Sequence, residues 1–212
     1  MYETERNELI DLLKKKGIQN KSLLAAITKI ERHQFVPEIM IPNAYKDVAL
    51  PIGYDQTISQ PYTVAFMTQS LNPKPNQKIL EIGTGSGYQA AILYEMGAKV
   101  FTIERNNNLY NSALKIFDKL GYNIAARCSD GSIGWEEFSP FDGIIVTAGS
   151  PSVPKNLLKQ LAINGKLVIP VGDRSTQILK IITKASEEEF TTDEVPYFAF
   201  VPLIGREGWK EK

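Results

Sequence analysis

The sequence predicts an α/β fold, a doubly wound and mostly parallel sheet with helices on both faces. From residue 78 onward, short apolar runs alternate with helical patterns, which is the order that builds parallel sheets. A glycine-rich turn joins the first of these runs to a helix. The chain has 212 residues, 43% hydrophobic and 23% charged, a size and composition typical of one compact globular domain.

The amino-terminal residues predict two helices. In the first, apolar residues recur at helical spacing, and Gly17 is typical of a helix end. Its expected inward side chains are Leu9, Ile10, Leu12 and Leu13. The second helix is expected over residues 22–30. Its expected inward side chains are Leu23, Leu24, Ile27 and Ile30.

A proline-rich segment follows, with prolines at 37, 42, 51 and 61, and it predicts an irregular, extended chain. We expect it to be packed, because it carries large apolar residues. These are Phe35, Tyr45, Leu50, Ile52, Tyr54 and Ile58. Long loops in compact domains usually serve a function. We therefore expect residues 1–70 to form an extension beside a core at 71–212.

Five buried strands are expected to alternate with helices in that core. The strand segments are KILEIG, KVFTIE, NIAARCSD, FDGIIVTAG and GKLVIPVG. The helices are expected over residues 88–96, 107–120 and 154–161. QILKIITKA and the terminal FAFVPLIG predict a β pair at the sheet edge. Because no strong helical pattern separates the two, this pair should bring in an antiparallel strand.

Composition argues against several classes of protein. Lys and Arg together equal Asp and Glu at 24 each, so the chain lacks the general charge of nucleic-acid binders. Cys128 and His33 are the sole residues of their types, which excludes an internal disulfide and the usual zinc sites. No metal is expected. His33 has no GxSxG nucleophile elbow to serve, so we interpret it as structural or surface-exposed.

Localisation and assembly follow from the same reading. No apolar run of about 18 residues exists, and the charged amino terminus lacks the apolar core of a signal peptide. We therefore expect a cytoplasmic protein that binds neither membrane nor nucleic acid. Nothing in the sequence demands an interface, so a monomer is expected.

The strongest local motif is EIGTGSG, residues 81–87, where a strand turns into a helix. Glycines there let the backbone approach a ligand, and the helix amino terminus can hold an anionic group. Tyr88 stands where the dinucleotide fingerprint GxGxxG needs its third glycine. The G-x-G-x-G spacing after an acidic residue resembles that of S-adenosylmethionine-dependent methyltransferases, although a tight turn without a ligand is the alternative. The expected cofactor contacts are Glu81, Gly83, Thr84, Gly85 and Gly87.

Two further strand ends are expected in the same crevice. Glu104 ends the second strand, about 20 residues on, where a carboxylate can accept both ribose hydroxyls; a solvated strand end is the alternative. Arg105 follows as a further cofactor contact. Asp130 and Gly131 close the third strand, where Asp could accept a hydrogen bond from an adenine amino group and Gly leaves room for the ring. Thr147-Ala-Gly-Ser ends the fourth strand, without the Asn/Asp-Pro-Pro-aromatic signature of base amine methyltransferases.

Longer segments resemble the protein-L-isoaspartate O-methyltransferase family along essentially the whole chain. They are RHQFVP, ALPIGYDQTISQPYTVAFMTQSL, ILEIGTGSGYQAAIL, FDGIIVTAGSPSVPKNLLKQL, GKLVIPVG and FVPLIGREGW. The chain departs from the usual family pattern at Asp55, Ser129 and Gly149. The resemblance implies a seven-stranded-type Rossmann-like methyltransferase sheet. It implies that residues 1–70 cover the substrate and that residues 71–212 form the cofactor-binding catalytic core. It also implies methyl transfer from S-adenosyl-L-methionine, with S-adenosyl-L-homocysteine as product, to the α-carboxylate of L-isoaspartyl residues in damaged proteins and peptides.

The resemblance further implies that Ser59 is the active-site serine. It adds cofactor contacts at Gln56, Thr57, Ile58 and Ser59. On the residues alone, Ser59 in front of Pro61 is better interpreted as a helix cap. A carboxylate acceptor is already ionised at neutral pH, so no general base is needed.

Three other functions stay open on the residues alone: an NAD(P)-dependent oxidoreductase, a non-catalytic cofactor-binding adaptor, and a methyltransferase for another small acceptor. The absent third glycine and the lack of a Tyr-x-x-x-Lys pair argue against the oxidoreductase. Ser59, Glu104 and the complete Thr-Ile-Ser segment argue against the adaptor. The fold alone does not decide the acceptor.

Overall fold

The computed structural model describes residues 2–211, which form a helical extension followed by a seven-stranded sheet covered by helices. The extension contains α1 (Glu3–Lys15), α2 (Lys21–Lys29), 3₁₀ turns at Arg32–Phe35 and Glu38–Asn43, the hairpin β1 (Leu50–Gly53) and β2 (Gln56–Ile58), and α3 (Pro61–Leu71). The core contains β3 (Lys78–Ile82), α4 (Tyr88–Glu95), β4 (Lys99–Glu104), α5 (Asn107–Leu120), β5 (Ala125–Cys128), β6 (Phe141–Val146), α6 (Lys155–Lys159), β7 (Leu161–Gly172), β8 (Gln177–Lys184) and β9 (Phe190–Phe198).

The strand order is β5-β4-β3-β6-β7-β8-β9. The five strands from β5 to β7 are parallel, and β8 and β9 continue the sheet antiparallel. The chain winds outward from β3 to β5 and then returns to β6, beside β3. Open α/β sheets bind ligands at the carboxyl ends of the strands where the order reverses. The predicted fold class is thus confirmed, and this topology places the expected ligand site at the carboxyl ends of β3 and β6.

Local chemistry explains several helix boundaries. The Asn106 side chain accepts hydrogen bonds from the first backbone N–H groups of α5, as a good N-cap does. Gly121 ends α5 with a φ of 72°, and Gly17 follows α1 with a φ of 93°, the left-handed backbone that glycine adopts at little cost. Within residues 2–211, no helix is both long enough and apolar enough to cross a bilayer.

Two residues predicted to be packed are exposed. Leu12 is 36% exposed, because Leu9, Ile10 and Leu13 already supply the stripe with which α1 packs on the core. Tyr54 is 55% exposed and lies in the turn between β1 and β2 with a φ of 53°. Its place at a hairpin tip carries its ring away from the core, so the prediction is wrong at these two positions.

The partner of β8 also differs from the predicted one. The strand is Phe190–Phe198, whereas only the first residue of FAFVPLIG belongs to it. The rest of that segment makes isolated bridges, among them Gly149 with Pro202. Pro202 has no N–H to donate to a ladder. The segment therefore crosses the strand ends instead of extending the sheet, and this brings Val201–Ile204 to the ligand crevice.

The amino terminus of α3 is capped by a residue from a neighbouring segment. Gln60 occupies the N-cap position without a side-chain capping bond, so Ser59 is not the cap. Instead Asp47 Oδ1 accepts the backbone N–H of Tyr62 at 2.7 Å. Asp47 Oδ2 lies 2.6 Å from Lys16 Nζ, and the Asp47 side chain is only 7% exposed. A carboxylate at this end also meets the positive end of the helix dipole.

Asp47→Ala is expected to lower the free energy of unfolding by about 1–2 kcal/mol, the cost of losing a helix cap. Urea denaturation measures it, with Asp47→Asn as the matched variant that keeps an acceptor oxygen and should lose less. Ser59→Ala should leave the free energy of unfolding unchanged. A larger loss in Ser59→Ala than in Asp47→Ala would return the cap to Ser59.

Candidate active site

The turn after β3 forms a cradle of exposed backbone. Gly83, Gly85 and Gly87 all have positive φ values, from 53° to 95°. A Cβ on Gly83 would lie 2.5 Å from Thr147 Oγ1, and one on Gly87 would lie 2.6 Å from the Phe117 ring. Glycine is therefore required there both for backbone conformation and for space. α4 begins directly after the turn, so its first N–H groups face the same crevice as the loop.

Glu104 joins the end of β4 to this loop. Its Oε2 accepts the N–H of Gly85 at 2.9 Å, and its Oε1 accepts the N–H of Asn106 at 2.8 Å. The residue is 7% exposed and lines the cavity above the glycine loop. Each carboxylate oxygen has a second lone pair, so Glu104 can also accept hydroxyl groups from a ligand. The alternative of a solvated strand end does not fit this burial.

Glu81 is a buried acid at the end of β3. It is fully buried, the Thr102 hydroxyl donates to its Oε2, and its Oε1 has no hydrogen-bond partner within residues 2–211. Burial raises the pKa of Glu81 to about 8; the Thr102 hydrogen bond opposes the rise and the nearby Glu104 adds to it. Glu81 lines the cavity above the glycine loop, and a buried polar atom without a partner beside a cavity fits a site for a polar ligand.

The raised pKa of Glu81 has a measurable consequence. The folded chain holds this proton up to about pH 8, whereas the unfolded chain releases it near pH 4.5. The neutral Glu81 carboxyl therefore contributes its full stability below pH 4.5. This contribution decreases as the pH rises from 4.5 and is lost once the pH has risen through 8. The free energy of unfolding should therefore fall between pH 5 and 8 relative to Glu81→Gln, by at most about 1.4 kcal/mol per pH unit. Urea titrations of both chains measure this, and parallel pH curves would contradict it.

The β1–β2 hairpin covers the glycine loop. A Cβ on Gly85 would meet Ile52 Cδ1 at 3.5 Å, so this strand lies directly over the loop. The predicted contacts from Gln56 to Ser59 line the cavity between hairpin and loop. The extension thus supplies one wall of the cavity and the glycine loop supplies the other.

A second cavity, which we call the aromatic groove, adjoins the first. Among the described residues, those that line it carry no Asp, Glu, Lys or Arg side chain. Its aromatic members are Tyr62, Phe66, Tyr197, Phe198 and Phe200. The two cavities share Thr57, Ser59, Thr147 and Val201. These four residues, which we call the junction, are where ligands in the two cavities would meet.

Most of the predicted site residues line the first cavity together. They are Gln56, Thr57, Ile58, Ser59, Glu81, Gly83, Thr84, Gly85, Glu104, Arg105 and Gly131. Gly87 lies two residues after Gly85, as the N-cap of α4, and does not line the cavity. Asp130 faces away: its oxygens accept the N–H groups of Ser132 and Arg206 at 2.9 and 2.8 Å. Its hydrogen bond to adenine stays a prediction.

Thr147 is the main site residue whose role the sequence does not indicate. Its hydroxyl donates to the Gly83 carbonyl at 2.7 Å, so it fixes the first glycine while lying at the junction. Its position at the end of β6, beside β3 at the switch point, is the feature of the sequence that could have marked it as a site residue. The Val201–Ile204 contribution had no such signal, because that segment resembles a strand.

His33 lies outside both cavities. Its Nδ1 is 2.7 Å from the Tyr45 hydroxyl, and its ring contacts Tyr2 and Tyr45. Burial lowers the pKa of His33, with Glu31 opposing the shift. This is the structural histidine that the sequence predicts, and it is not placed to act as a base at Ser59.

Comparison with known proteins gives consistent names. The chain matches the family described as Protein-L-isoaspartate(D-aspartate) O-methyltransferase over residues 4–208. It is 49% identical to the Protein-L-isoaspartate O-methyltransferase of Chlorobium phaeovibrioides, across 100% of this chain and 95% of that protein. It is 50% identical to the Protein-L-isoaspartate O-methyltransferase of Cytophaga hutchinsonii, across 98% of this chain and 94% of that protein.

Solved structures agree with these relatives. One protein-L-isoaspartate O-methyltransferase has a TM-score of 0.88 at 27% identity, covering 96% of this chain and 67% of that chain. Another, from Plasmodium falciparum and in complex with S-adenosyl-L-homocysteine, has a TM-score of 0.81 at 27% identity, covering 93% and 97%. With a switch-point glycine loop, a buried Glu104 and these full-length matches, the chain belongs to the protein-L-isoaspartate O-methyltransferase family.

Proposed function

We propose that methyl transfer takes place at the junction, with cofactor in the first cavity and the isoaspartyl peptide in the aromatic groove. The chain is a protein-L-isoaspartate O-methyltransferase that uses S-adenosyl-L-methionine and acts on isoaspartyl proteins and peptides. The observation that carries the assignment is that the two cavities meet at only a few residues, Ser59 among them.

The first cavity suits the cofactor residue by residue. Glu104 would accept the ribose hydroxyls, Gly131 would leave room for the adenine ring, and Glu81 Oε1 would pair with a polar group of the amino-acid end. Asp130 would accept a hydrogen bond from the adenine amino group, and it also accepts the backbone N–H of Arg206 in the carboxyl-terminal segment. When bound, S-adenosyl-L-methionine supplies a methyl group on a positively charged sulfur.

The acceptor needs orientation and not activation. A carboxylate is ionised at neutral pH, so no residue has to remove a proton. The attacking oxygen loses negative charge as the bond forms. A strong hydrogen bond to it would therefore stabilise the ground state more than the transition state. We propose that the Ser59 hydroxyl holds the other carboxylate oxygen, so that its contribution is positional.

Residues 1–70 form the substrate-covering part of this arrangement. The β1–β2 hairpin and the start of α3 bring Thr57, Ser59 and Tyr62 to the groove. The groove has aromatic walls without charged side chains, so it favours apolar neighbours of the isoaspartyl residue over acidic ones. The core at 71–212 supplies the glycine loop and the opposite wall.

The test is methyl transfer to two peptides that differ only in one linkage, isoaspartyl against aspartyl. The isoaspartyl peptide carries its free carboxylate directly on Cα, one methylene closer to the backbone, so only that carboxylate should reach the junction. We expect methyl ester from the isoaspartyl peptide alone. Equal labelling of both peptides would contradict the assignment of the groove.

We also propose that the chain works as a cytoplasmic monomer that binds neither nucleic acid nor membranes. Support comes from its zero net charge, which gives no general attraction for nucleic acid, and a monomer is the simplest state in which both cavities stay open to cofactor and peptide. Sedimentation of the purified protein with and without peptide tests the monomer.

A further inference from the structure

Arg32 joins three separate parts of the protein although it lies outside both cavities. It is completely buried, in the 3₁₀ turn that follows α2. Its Nε donates to the Ala44 carbonyl at 2.8 Å, and its Nη2 donates to the Ser59 carbonyl at 3.0 Å. Its Cζ lies 4.7 Å from the centre of the Tyr88 ring. One guanidinium thus contacts the extension, the active-site serine and the first residue of α4.

Burying the charge of Arg32 costs folding free energy, so a purely structural role explains it poorly. Burying a cation requires compensation, and Arg32 has no ion-pair partner within 4 Å among the described residues. Nη1 has no hydrogen-bond partner there either. Burial lowers the pKa of the Arg32 guanidinium; Tyr88 opposes the shift through electrostatic attraction and a side-chain hydrogen bond, and Asp47 opposes it to a smaller extent. The hydrogen bonds and ring contact that Arg32 makes therefore explain an arginine at this buried position better than a gain in folding stability does.

Those bonds constrain the residue that orients the acceptor. Ser59 lies between β2 and α3, outside regular structure, so its neighbours must set its backbone position. Arg32 holds its carbonyl while stacking on Tyr88, which follows the glycine loop directly. A planar guanidinium donates in two fixed directions and stacks on a ring at the same time, which a lysine ammonium cannot do.

We infer that Arg32 is a positioning residue for methyl transfer, which sets the place of the Ser59 hydroxyl relative to the cofactor loop. The inference rests on the proposed role of Ser59. A displacement of about 1 Å at a reacting group can cost as much as a hundredfold in rate, so loss of this bond should affect turnover. Cofactor affinity should change little, because Arg32 does not line the cofactor cavity.

The test is a double-mutant cycle of Arg32→Lys with Ser59→Ala, measured as turnover at saturating cofactor and isoaspartyl peptide. With Ser59 present, Arg32→Lys should lower turnover about tenfold; without the hydroxyl it should lower turnover less than about twofold, because interacting residues are not additive. Arg32→Gln is run in parallel, since its neutral side chain avoids a buried charge. Cofactor dissociation constants from calorimetry should stay within about threefold.

A matched control separates positioning from general destabilisation. Lys184 is also buried and donates to a backbone carbonyl, that of Leu161 at 3.1 Å. Unlike Arg32 it has an ion-pair partner, the exposed Glu187 at 2.8 Å, and it lies on β8, away from both cavities. Lys184→Met should lower the melting temperature, but turnover measured below that temperature should stay normal. An equal fold-loss from Arg32→Lys with and without the Ser59 hydroxyl would overturn the inference. So would normal turnover in Arg32→Lys, or a loss confined to cofactor affinity. Normal turnover in Ser59→Ala alone would instead contradict the proposed role of Ser59.

Discussion

Ser59→Ala is expected to lower turnover by about tenfold to a thousandfold, comparable with the loss of one positioning donor. Ser59 lines both cavities, and under the proposed role the loss of its hydroxyl would leave the acceptor carboxylate free to rotate. The measurement is turnover on an isoaspartyl peptide at saturating cofactor. Because Asp47 and not Ser59 caps α3, stability should change by less than about 0.5 kcal/mol.

The matched control is Ser112→Ala, which removes a hydroxyl from the exposed side of α5 and should not affect turnover. The mechanism needs no general base, so the pH dependence of turnover should show no step at the pKa of a histidine. Because burial lowers the pKa of His33, a rate limb below the usual histidine pKa of about 6.5 would indicate His33 as a base and overturn the mechanism. Full turnover in Ser59→Ala would leave positioning to backbone groups of the Thr57–Gln60 segment.

Glu104→Ala is expected to weaken cofactor binding by about 1.5–3 kcal/mol, the range for hydrogen bonds to a charged group. That corresponds to roughly 10- to 150-fold in dissociation constant. The carboxylate also accepts the N–H groups of Gly85 and Asn106, so its removal loosens the glycine loop as well. Calorimetric titration with S-adenosyl-L-methionine and S-adenosyl-L-homocysteine measures the effect.

Two comparisons make the Glu104 measurement specific. Glu137→Ala removes an exposed carboxylate and should leave cofactor affinity unchanged. Glu104→Gln keeps the shape but places an amide where an acceptor is needed, so it should fall between the two. Unchanged cofactor affinity in Glu104→Ala would reduce Glu104 to a loop anchor. NAD binding as tight as that of S-adenosyl-L-methionine would contradict the cofactor assignment itself.

The sequence determined those features that short segments encode. Alternating apolar runs and helical patterns are local, so they predicted the strands, the core helices and the parallel sheet, and α5 has the bounds that were expected. The glycine spacing and Glu104 predicted a cofactor site for the same reason, since each is a local pattern at a strand end. Parallel strands place their carboxyl ends at one edge of the sheet, so two motifs about 20 residues apart had to meet there.

Tertiary structure alone decided what depends on residues distant in the chain. Asp47 caps α3 from outside the helix, and Arg32 holds the Ser59 carbonyl 27 residues away. The same holds for the choice of Phe190–Phe198 as the edge strand, which left Val201–Ile204 free to line the cavity. Periodicity and turn chemistry describe neighbours along the chain. A cap, a buried cation or a cavity wall instead depends on which distant surfaces pack together, because their hydrogen bonds form only once that packing excludes water.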